Sequence, residues 1–578
     1  MIPTNRNIVP GPIEFLLSLL RRHSKHPMRE LFARLRRHPG GALRLFISSL
    51  IINILGLASS IYVIQVLNRY VSYGVNGTLI TLTTGAIIAI VGEFIFRQLR
   101  LAVGEDIIGD EDERLSIGLF GLSVTTRLDA FEARPIGTRA EILRASERTE
   151  SAFGPPALAA LADLPFSLVY LTGLFLLAPP LAMVTAGFGA VLLLLAWNSQ
   201  RAAATAQHSL NTAAARIGSL VMAGLQAGET IRHFRAVDRL VEAWSVAAAQ
   251  AHALRRHARR THHASSAWAQ LVQSLTGIAV IGVGAALAVD GVLDVGVLVG
   301  ANIMAARALT PLSRLIPLAE SARAAAQTLA EARAFAASTP VEPRLGKIIP
   351  GWLGKIEARS LAFTPLGGNT PLFTALSFAL EPGGVLVITG KNGSGKTSLL
   401  RLMAGLIQPS RGQILVDGVD LSQISLDWWR KQVSYLPQEP IFLEGPLQQA
   451  LSDACPEASP EDMERVLTQV GLRPLIDRHP QGWNQLLGEG GRNLAPGVRR
   501  RLALARALLV DGPLYLLDEP SEGLDRDGAE RVYAQMIALA RRGKTLVVVS
   551  HDPTILRGAR LTLNFDGAEP ILESKQLQ

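Results

Sequence analysis

The chain has 578 residues, too many for one ordinary core, so two or more domains are expected. Hydrophobic residues make up 48% and charged residues 18%, whereas soluble chains carry about 25% charged residues. A single cysteine, Cys455, excludes an intrachain disulfide and fits a reducing cytosolic face. The net charge of +9 does not indicate nucleic-acid binding, because no stacking aromatic residues are interleaved with the basic cluster near the N-terminus.

That basic cluster lies directly ahead of the first long apolar run. A cluster in this position predicts a cytoplasmic anchor that faces anionic lipid of the inner membrane. The segment lacks the short apolar region and small-residue cleavage site of a signal peptide, so we expect it to be retained. The basic residues are Arg21, Arg22, Lys25, Arg29, Arg34, Arg36, Arg37 and Arg44.

Six apolar runs follow, each close to the length of about 20 residues that a helix needs to cross a bilayer. They are residues 45–66, 78–96, 157–177, 181–197, 271–289 and 292–309. The two long connections, 97–156 and 198–268, are rich in arginine and are predicted to continue the spans as helices. The positive-inside rule therefore places both long connections and both termini in the cytosol.

Two carboxylates lie inside these runs and are functional candidates by their position. Glu93 is one helical turn from Arg97, so we expect these two residues to form an ion pair. Asp163 lies in the third run, two residues before Pro165.

The composition changes at a predicted linker, residues 338–350, from apolar helices to alternating strands, glycines and charged helices. We therefore predict a multi-domain chain. A basic segment at 1–40 precedes an all-α transmembrane domain of six helices at 41–337, and an α/β P-loop nucleotide-binding domain occupies 351–578.

The most specific motif is the apolar strand 385–389 followed by G-x-x-x-x-G-K-T. Its glycines permit backbone conformations in which the loop amides surround phosphate oxygens at a helix N-terminus. Lys396 then supplies a charge to the β- and γ-phosphates, and Thr397 offers a hydroxyl to Mg²⁺. The predicted nucleotide-binding residues are Gly390, Lys391, Asn392, Gly393, Ser394, Gly395, Lys396, Thr397 and Ser398. The chain is thus predicted to bind ATP or GTP.

Four further residues follow at the ends of apolar segments. Asp518 is expected to hold Mg²⁺ opposite Thr397, and Glu519 to act as general base toward water. His551 is expected to brace the γ-phosphate. Gln438 is expected to reach the metal or the water, which makes Thr397, Gln438 and Asp518 the predicted metal ligands. A lone Gln or His after a strand is usually structural, but the complete set in this order favours an NTPase.

This set resembles the ATP-binding cassette family, over nearly all of residues 350–565. Six spans ahead of one cassette resemble an exporter half-transporter, which implies a dimer that uses ATP and Mg²⁺. Residues 49–59, 65–69 and 161–166 are similar to the type I secretion ATPases, the haemolysin and protease exporters. That resemblance implies export of an unfolded polypeptide across the bacterial inner membrane, with a membrane-fusion adaptor and an outer-membrane channel as partners. The first 40 residues are too short for the peptidase-like N-terminal domain of some relatives.

The chain departs from the family in two places. Where the family signature reads Leu-Ser-Gly-Gly-Gln, residues 494–498 read Leu-Ala-Pro-Gly-Val. Ala495 lacks a hydroxyl and Pro496 lacks an N–H, and each lost hydrogen bond to a charged phosphate costs about 1.5–3 kcal/mol. Pro is well tolerated at a helix start, so we expect the fold to survive. The adenine-stacking aromatic would fall near Pro365, and Phe363 is expected to face the other way.

Four functions remain open on the sequence. The chain is either an active homodimeric export ATPase or the weak half of a heterodimer whose partner has an intact signature. A regulatory subunit without turnover is disfavoured by the intact Lys396, Glu519 and His551. Export of a lipid or a small thiol compound is the alternative within the transporter class.

Overall fold

The computed structural model describes residues 27–71, 74, 76–338, 342, 346–368, 370–567 and 570–574, with the backbone alone at 27–31, 110, 141, 200–208, 262 and 320. The chain divides into two compact units. The first contains residues up to 125 and 134–339, and the second contains residues 126–133 and those from 340 onward. Residues 1–26 of the predicted basic segment and much of the predicted linker lie outside the described residues.

The part of the chain before the linker is helical. In chain order its helices are α1 (Pro27–Arg37), α2 (Pro39–Gln65, continued by the π-helical turn Val66–Tyr70), α3 (Asn76–Thr125), α4 (Leu128–Glu132), α5 (Ile136–Leu143), α6 (Ala145–Phe153), α7 (Pro155–Leu177), α8 (Pro179–Gln226), α9 (Gly228–His233), α10 (Val237–Val289) and α11 (Val295–Ser338).

Six helical stretches of the described chain are long and apolar enough to cross a membrane, which confirms the predicted six spans. They are Pro39–Tyr70, Asn76–Thr125, Ile136–Leu177, Pro179–Ser199, Val237–Val289 and Val295–Ala337. The helices α3 and α8 run well beyond their apolar parts, to Thr125 and Gln226, so the arginine-rich connections do continue the spans.

The described part of the basic cluster corrects one expectation. Arg34 is 1% exposed and its guanidinium lies 3.0 Å from the Asp112 carboxylate of α3. Arg37 lies 3.0 Å from Glu111, one residue earlier in the same helix. The prediction that this cluster faces anionic lipid is therefore wrong for Arg34, because a buried guanidinium paired with protein carboxylates does not contact headgroups.

The second unit is built on two main sheets. An antiparallel sheet has the order β2 (Phe373–Leu380), β1 (Ile356–Phe363), β4 (Arg411–Val416), β5 (Val419–Asp420). A second sheet has the order β12 (Ile571–Ser574), β11 (Leu561–Asn564), β3 (Val385–Thr389), β10 (Thr545–Val549), β9 (Leu514–Asp518), β6 (Val433–Leu436). It is parallel except for the edge strand β12. A two-stranded sheet pairs β7 (Gly445–Pro446) with β8 (Leu486–Leu487).

Helices accompany these sheets in the alternating pattern of an α/β domain, which confirms the predicted fold class. They are α12 (Lys396–Met403), α13 (Leu426–Gln432), α14 (Leu447–Ser452), α15 (Pro460–Gln469), α16 (Arg473–Arg478), α17 (Pro496–Val510), α18 (Arg526–Arg541) and α19 (Pro553–Arg557).

The core lies on both faces of the parallel sheet. Along β9, Leu514 and Leu516 pack into one apolar cluster, while Tyr515 and Leu517 pack into the other. Successive side chains of a strand point to opposite faces, so a strand buried on both sides is apolar along most of its length. The five residues of β9 are all buried, Asp518 included.

Candidate functional site: a nucleotide pocket at the strand ends

The predicted site residues meet at one edge of the parallel sheet. Strands β3, β10, β9 and β6 are neighbours in that order. The phosphate loop follows β3, His551 follows β10, Asp518 and Glu519 close β9, and Gln438 follows β6. Parallel strands present their carboxyl ends at the same edge, where α/β proteins bind ligands.

The loop between β3 and α12 depends on its glycines. Gly390, Gly393 and Gly395 have φ angles of 136°, 80° and 101°, a region that favours glycine. A Cβ at Gly390 would lie 2.6 Å from the Cβ of Phe565, and one at Gly395 would lie 3.0 Å from a ring carbon of Phe373. The backbone can therefore take the curved path of a phosphate loop only with glycine at these positions.

Lys396 lies across this loop at the start of α12. Its ammonium donates hydrogen bonds to the carbonyl oxygens of Gly390, at 2.5 Å, and Lys391, at 2.8 Å. The side chain is buried, and this burial lowers the pKa of Lys396. The Lys391 N–H is held by Asp566 at 2.9 Å, so the far end of the loop is tied to the residues that follow β11.

Asp518 is a buried carboxylate with unmet bonding capacity. It is 1% exposed, and neither of its oxygens accepts a hydrogen bond of normal geometry from the described residues. Burial raises the pKa of Asp518, against the lowering influence of the nearby Thr397 hydroxyl and of Arg401. Two orphaned carboxylate oxygens facing a hydroxyl form the all-oxygen donor set that Mg²⁺ prefers, so the residues present fit that ion.

Glu519, the next residue, has the properties expected of a general base. Burial raises the pKa of its carboxyl above the ordinary value, while His551 opposes this rise. The His551 Nε2 lies 3.7 Å from the Glu519 carboxylate. Glu519 has a φ of +46°, a left-handed conformation that costs free energy for a residue with a side chain.

Arg500 of α17 lies at the site but was not predicted from the sequence. Its guanidinium donates to the backbone carbonyl of Glu519 at 2.5 Å and to that of Gln438 at 2.6 Å. It also lies 3.4 Å from the Glu522 carboxylate. The Glu519 N–H is in turn bound to the Val549 carbonyl at 2.9 Å, so both backbone groups of the strained residue are held. Nothing in the arginine run 499–501 distinguishes Arg500 by pattern.

These groups surround one cavity of about 650 Å³, within the range of small-molecule sites. All of the predicted catalytic residues and metal ligands line it. Its lining includes Asn392, Gly393, Gly395, Lys396, Thr397, Ser398, Gln438, Asp518, Glu519 and His551. Gly390, Lys391 and Ser394 lie in the same loop but not in the lining. The cavity has room for phosphates on the loop side and for a water beside Glu519.

The two departures from the family pattern have clear structural counterparts. Ala495 precedes α17 without a side-chain cap, and Pro496 is its first residue, so the helix forms as expected despite the altered signature. Phe363 is 7% exposed and its ring lies 6.5 Å from that of Phe373 in the core. Phe363 is therefore not available to stack on adenine.

The short helix α4 packs on the cassette as part of the same unit. Glu132 lies 3.3 Å from the Arg401 guanidinium of α12, the helix that begins at the phosphate loop. Arg127 donates to the Gln408 side chain at 2.5 Å, and Leu128 packs against the cassette core. No sequence pattern predicted that residues 126–133 separate from the helices on either side.

Comparisons with known proteins agree with this geometry. Residues 43–311 match the ABC transporter transmembrane region, and residues 373–522 match the ABC transporter family. A solved structure of a bacterial Atm1-family ABC exporter with ATP bound superposes with a TM-score of 0.82 at 20% identity, covering 93% of this chain and 95% of that chain. At that identity the likeness supports the fold alone.

Three curated relatives cover the chain to different extents. The type I secretion system ATP-binding protein PrsD of Rhizobium meliloti is 26% identical over 517 residues, 89% of this chain and 88% of that protein. The alpha-hemolysin translocation ATP-binding protein HlyB of Escherichia coli is 24% identical over 524 residues, 89% and 73% respectively. The mycobactin import ATP-binding/permease protein IrtB of Mycobacterium bovis is 32% identical over 302 residues, 51% of each chain.

The helical membrane domain and the phosphate-loop domain are each matched by an ABC transporter model, and they occur in this order along the chain. Together the two matches identify the family. The chain belongs to the ATP-binding cassette transporters, as a half-transporter of the bacterial inner membrane that couples ATP hydrolysis to export.

Proposed function

We propose that this exporter moves an unfolded polypeptide out of the cytosol as the ATPase and permease of a type I secretion system. The observation that carries the proposal is the likeness to PrsD, which extends over 89% of this chain and so includes the membrane domain. The likeness to the mycobactin importer is higher in identity but covers 51% of the chain. A transporter's cargo path lies in its membrane domain, so similarity that extends over most of this domain is the better guide to cargo.

In this proposal the site residues divide the work of hydrolysis. The loop 390–395 and Lys396 would hold the ATP phosphates, while Thr397, Asp518 and Gln438 would hold Mg²⁺, which supplies positive charge to the transferred phosphate when bound. Glu519 orients and deprotonates the attacking water, and His551 braces the γ-phosphate. The raised pKa of Glu519 suits this role, because a base is most effective when its pKa approaches the working pH.

The proposed assembly is a dimer in which the signature segment of one chain caps ATP bound by the other. An inner-membrane adaptor and an outer-membrane channel would complete the path, by analogy with secretion ATPases such as PrsD and HlyB. The altered segment Ala495-Pro496-Gly497-Val498 offers fewer donors to phosphate than the family pattern. This single observation favours a second arrangement, a heterodimer in which the partner's signature faces the phosphate loop of this chain.

A secretion experiment tests the cargo class. The gene is deleted in its native host and replaced by the wild-type gene or by Glu519→Gln. We expect one or more extracellular proteins to disappear on deletion and to return with the wild-type gene but not with the variant. An unchanged set of extracellular proteins, together with loss of a lipid or thiol compound from the medium, would contradict protein secretion.

An enzymatic experiment separates the homodimer from the heterodimer. The chain is purified alone, in lipid, and its ATPase rate is compared with that of a variant carrying Ala495→Ser, Pro496→Gly and Val498→Gln. If the altered signature limits a homodimer, the triple variant is faster, by about tenfold for each hydrogen bond regained. High activity of the unmodified chain alone, abolished by Glu519→Gln, would exclude the requirement for a partner with an intact signature.

A further inference from the structure

A second cavity, of about 320 Å³, lies among the membrane-spanning helices of the first unit. Its lining is unusually rich in charge for that setting. The charged lining residues are Glu93, Arg97 and Arg100 of α3, Asp163 of α7, and Arg307 and Arg314 of α11. The described lining therefore has four guanidinium groups and two carboxylates.

Each carboxylate is shared by two arginines. Glu93 pairs with Arg97, as predicted, and also lies 3.4 Å from Arg307. Asp163 lies 2.6 Å from Arg100 and 3.4 Å from Arg314. Two ion pairs account for the two carboxylates, so the described lining has an excess of two positive charges.

One of these arginines is buried without a full set of partners. Arg100 is 6% exposed, and its Nε–H has no acceptor among the described residues, although its Nη1 binds Ser49 and Asp163. Arg97 and Arg314 have half-exposed side chains, at 51% and 47%. Charged groups within membrane spans are costly unless paired, so this excess calls for an anion that the lining does not supply.

The position of the cluster is determined by close packing. A Cβ at Gly56 of α2 would lie 2.4 Å from the Arg307 Nη1 and 2.7 Å from the Tyr170 hydroxyl. That hydroxyl donates to the Asn53 carbonyl at 2.8 Å. Glycine at position 56 therefore provides the space in which the Arg307 guanidinium and the Tyr170 hydroxyl lie against α2.

We propose that this cavity binds an oxyanion, a phosphate or carboxylate group, through the guanidinium groups of Arg97, Arg100 and Arg314. Planar guanidinium groups bind such anions with two parallel hydrogen bonds. By the predicted orientation the cluster lies toward the cytosolic ends of the spans, so the group comes either from an anionic phospholipid headgroup or from a soluble cytosolic anion. The proposal stands independently of which cargo the exporter moves.

The test removes the excess charge and leaves one arginine for each carboxylate. The full chain carrying Arg97→Gln and Arg314→Gln retains Arg307 beside Glu93 and Arg100 beside Asp163. A control chain carries Arg260→Gln and Arg323→Gln, which remove two charges outside the cavity lining. The wild-type chain and these two variants are placed in nanodiscs of neutral phosphatidylcholine, with and without phosphatidylglycerol.

Two measurements distinguish the source of the anion. Native mass spectrometry counts phosphatidylglycerol retained after transfer to detergent, and titration with inorganic phosphate in neutral nanodiscs follows the melting temperature. We expect the wild-type and control chains to retain the lipid or to be stabilised by phosphate, with affinity at least tenfold lower in the Arg97/Arg314 variant. Retention of lipid identifies a headgroup, whereas stabilisation by phosphate in neutral discs identifies a soluble anion.

The outcomes that overturn the proposal are equally direct. The proposal is overturned if the wild type neither retains the lipid nor is stabilised by phosphate. Equal binding by the Arg97/Arg314 variant and the wild type would also overturn it. A further variant, Arg97→Lys with Arg314→Lys, controls for misfolding because it preserves the two charges. It should bind more tightly than the glutamine variant and elute from size exclusion at the same volume as the wild type.

Discussion

At the scale of single residues, the candidate ATP site combines specific local motifs with contacts that no sequence motif predicts. Asp518 and Glu519 are adjacent in sequence but differ in environment. Asp518 faces Thr397 with both oxygens unbonded among the described residues, whereas Glu519 faces His551. The two carboxylates can therefore serve different functions, metal binding and base catalysis, although they share one strand end.

The buried Asp518 makes a prediction about stability. Its pKa is raised by burial, so the folded state disfavours the ionised form. The resulting loss of stability is absent below the unfolded pKa, near 3.9, and grows as pH rises toward the folded pKa. Asp518→Asn should therefore raise the melting temperature of the nucleotide-free protein at pH 7 and remove the further rise caused by Mg²⁺ with ATP. Calorimetry at pH 4 and pH 7 checks this, and a variant less stable than wild type at pH 7 would contradict it.

The raised pKa of Glu519 predicts the acid limb of the pH–rate profile. Protonation removes the base, so the ATPase rate should fall as pH decreases through a pKa above the ordinary glutamate value of about 4.3. The measurement is kcat/KM for ATP hydrolysis between pH 5 and pH 8. His551→Gln should shift this fall in rate to higher pH, because His551 opposes the rise in the pKa of Glu519. An acid limb unaffected by the substitution would argue against this pairing.

Substitution of Arg500 should lower the turnover of ATP without weakening the binding of ATP. It binds the carbonyls of Glu519 and Gln438 but does not line the cavity itself. Arg500→Ala should lower kcat by about 10²-fold, the scale of a misplacement of roughly 1 Å, and leave ATP affinity nearly unchanged. Arg500→Lys should rescue little, because a single ammonium does not span two carbonyls as a guanidinium does.

The matched control for Arg500 is Arg478→Ala, at the exposed end of α16. That change removes the same charge at a distance from the strand ends. Equal effects of Arg478→Ala and Arg500→Ala, or an equal loss of ATP binding and turnover at Arg500, would indicate a general effect of charge or folding.

At the scale of elements, the organisation depends on which strands are neighbours. Gln438 and Arg500 are 62 positions apart in sequence. They meet because β6 lies beside β9, while α17 carries Arg500 to their ends. Helix α4 is the converse case, a five-residue element from the helical part of the sequence that packs with the cassette. Too short to bury an apolar face alone, it depends on the cassette surface for its stability.

The pair Glu132–Arg401 predicts how α4 is held. Both side chains are partly exposed, at 50% and 36%, so the pair is worth only about 0–1 kcal/mol to global stability. Glu132→Arg should therefore leave the melting temperature nearly unchanged but increase deuterium uptake over residues 126–133. Adding Arg401→Glu to this variant, which exchanges the two charges, should restore protection. Increased uptake that persists in the double variant would show that the ion pair does not hold the helix.

At the scale of the whole molecule, the proposed dimer gives each chain half of each ATP site. The phosphate loop, Asp518, Glu519 and His551 lie at one edge of the sheet, and the proposed capping segment 495–498 belongs to the opposing chain. Six apolar spans identify the protein as a membrane component rather than a soluble ATPase. In that proposed arrangement, assembly of the dimer completes each site.

Composite sites in a homodimer predict complementation between two inactive chains. Lys396→Ala removes phosphate binding, and Gly497→Asp places a charge in the capping segment. Each homodimer should be inactive, but a mixed dimer has one site with an intact loop and an intact cap. Random mixing should restore about a quarter of wild-type activity, since half of the dimers are mixed and each has one good site of two. No recovery on mixing, in dimers shown to exchange chains, would contradict composite sites of this kind.

Much of this protein was predictable from local sequence. The six spans follow from runs of apolar residues that match the thickness of a bilayer, and the phosphate loop follows from a strand, three glycines and a lysine within eleven positions of one another. These features depend on residues that are close together in the chain, so they can be recognised from the sequence alone. The helix start at Pro496 was likewise predictable from the fixed φ of proline.

What the tertiary structure alone decided are the contacts between distant segments. Arg34 is buried against Asp112 rather than lipid, Arg500 holds Glu519, and α4 packs with the cassette. In each case the residue type permits several partners, and strand order or helix packing selects one. Composition and spacing thus determined that the chain is an ATP-driven membrane protein, whereas the three-dimensional arrangement decided which charges are paired in its core and which hold the strained backbone at the candidate ATP site.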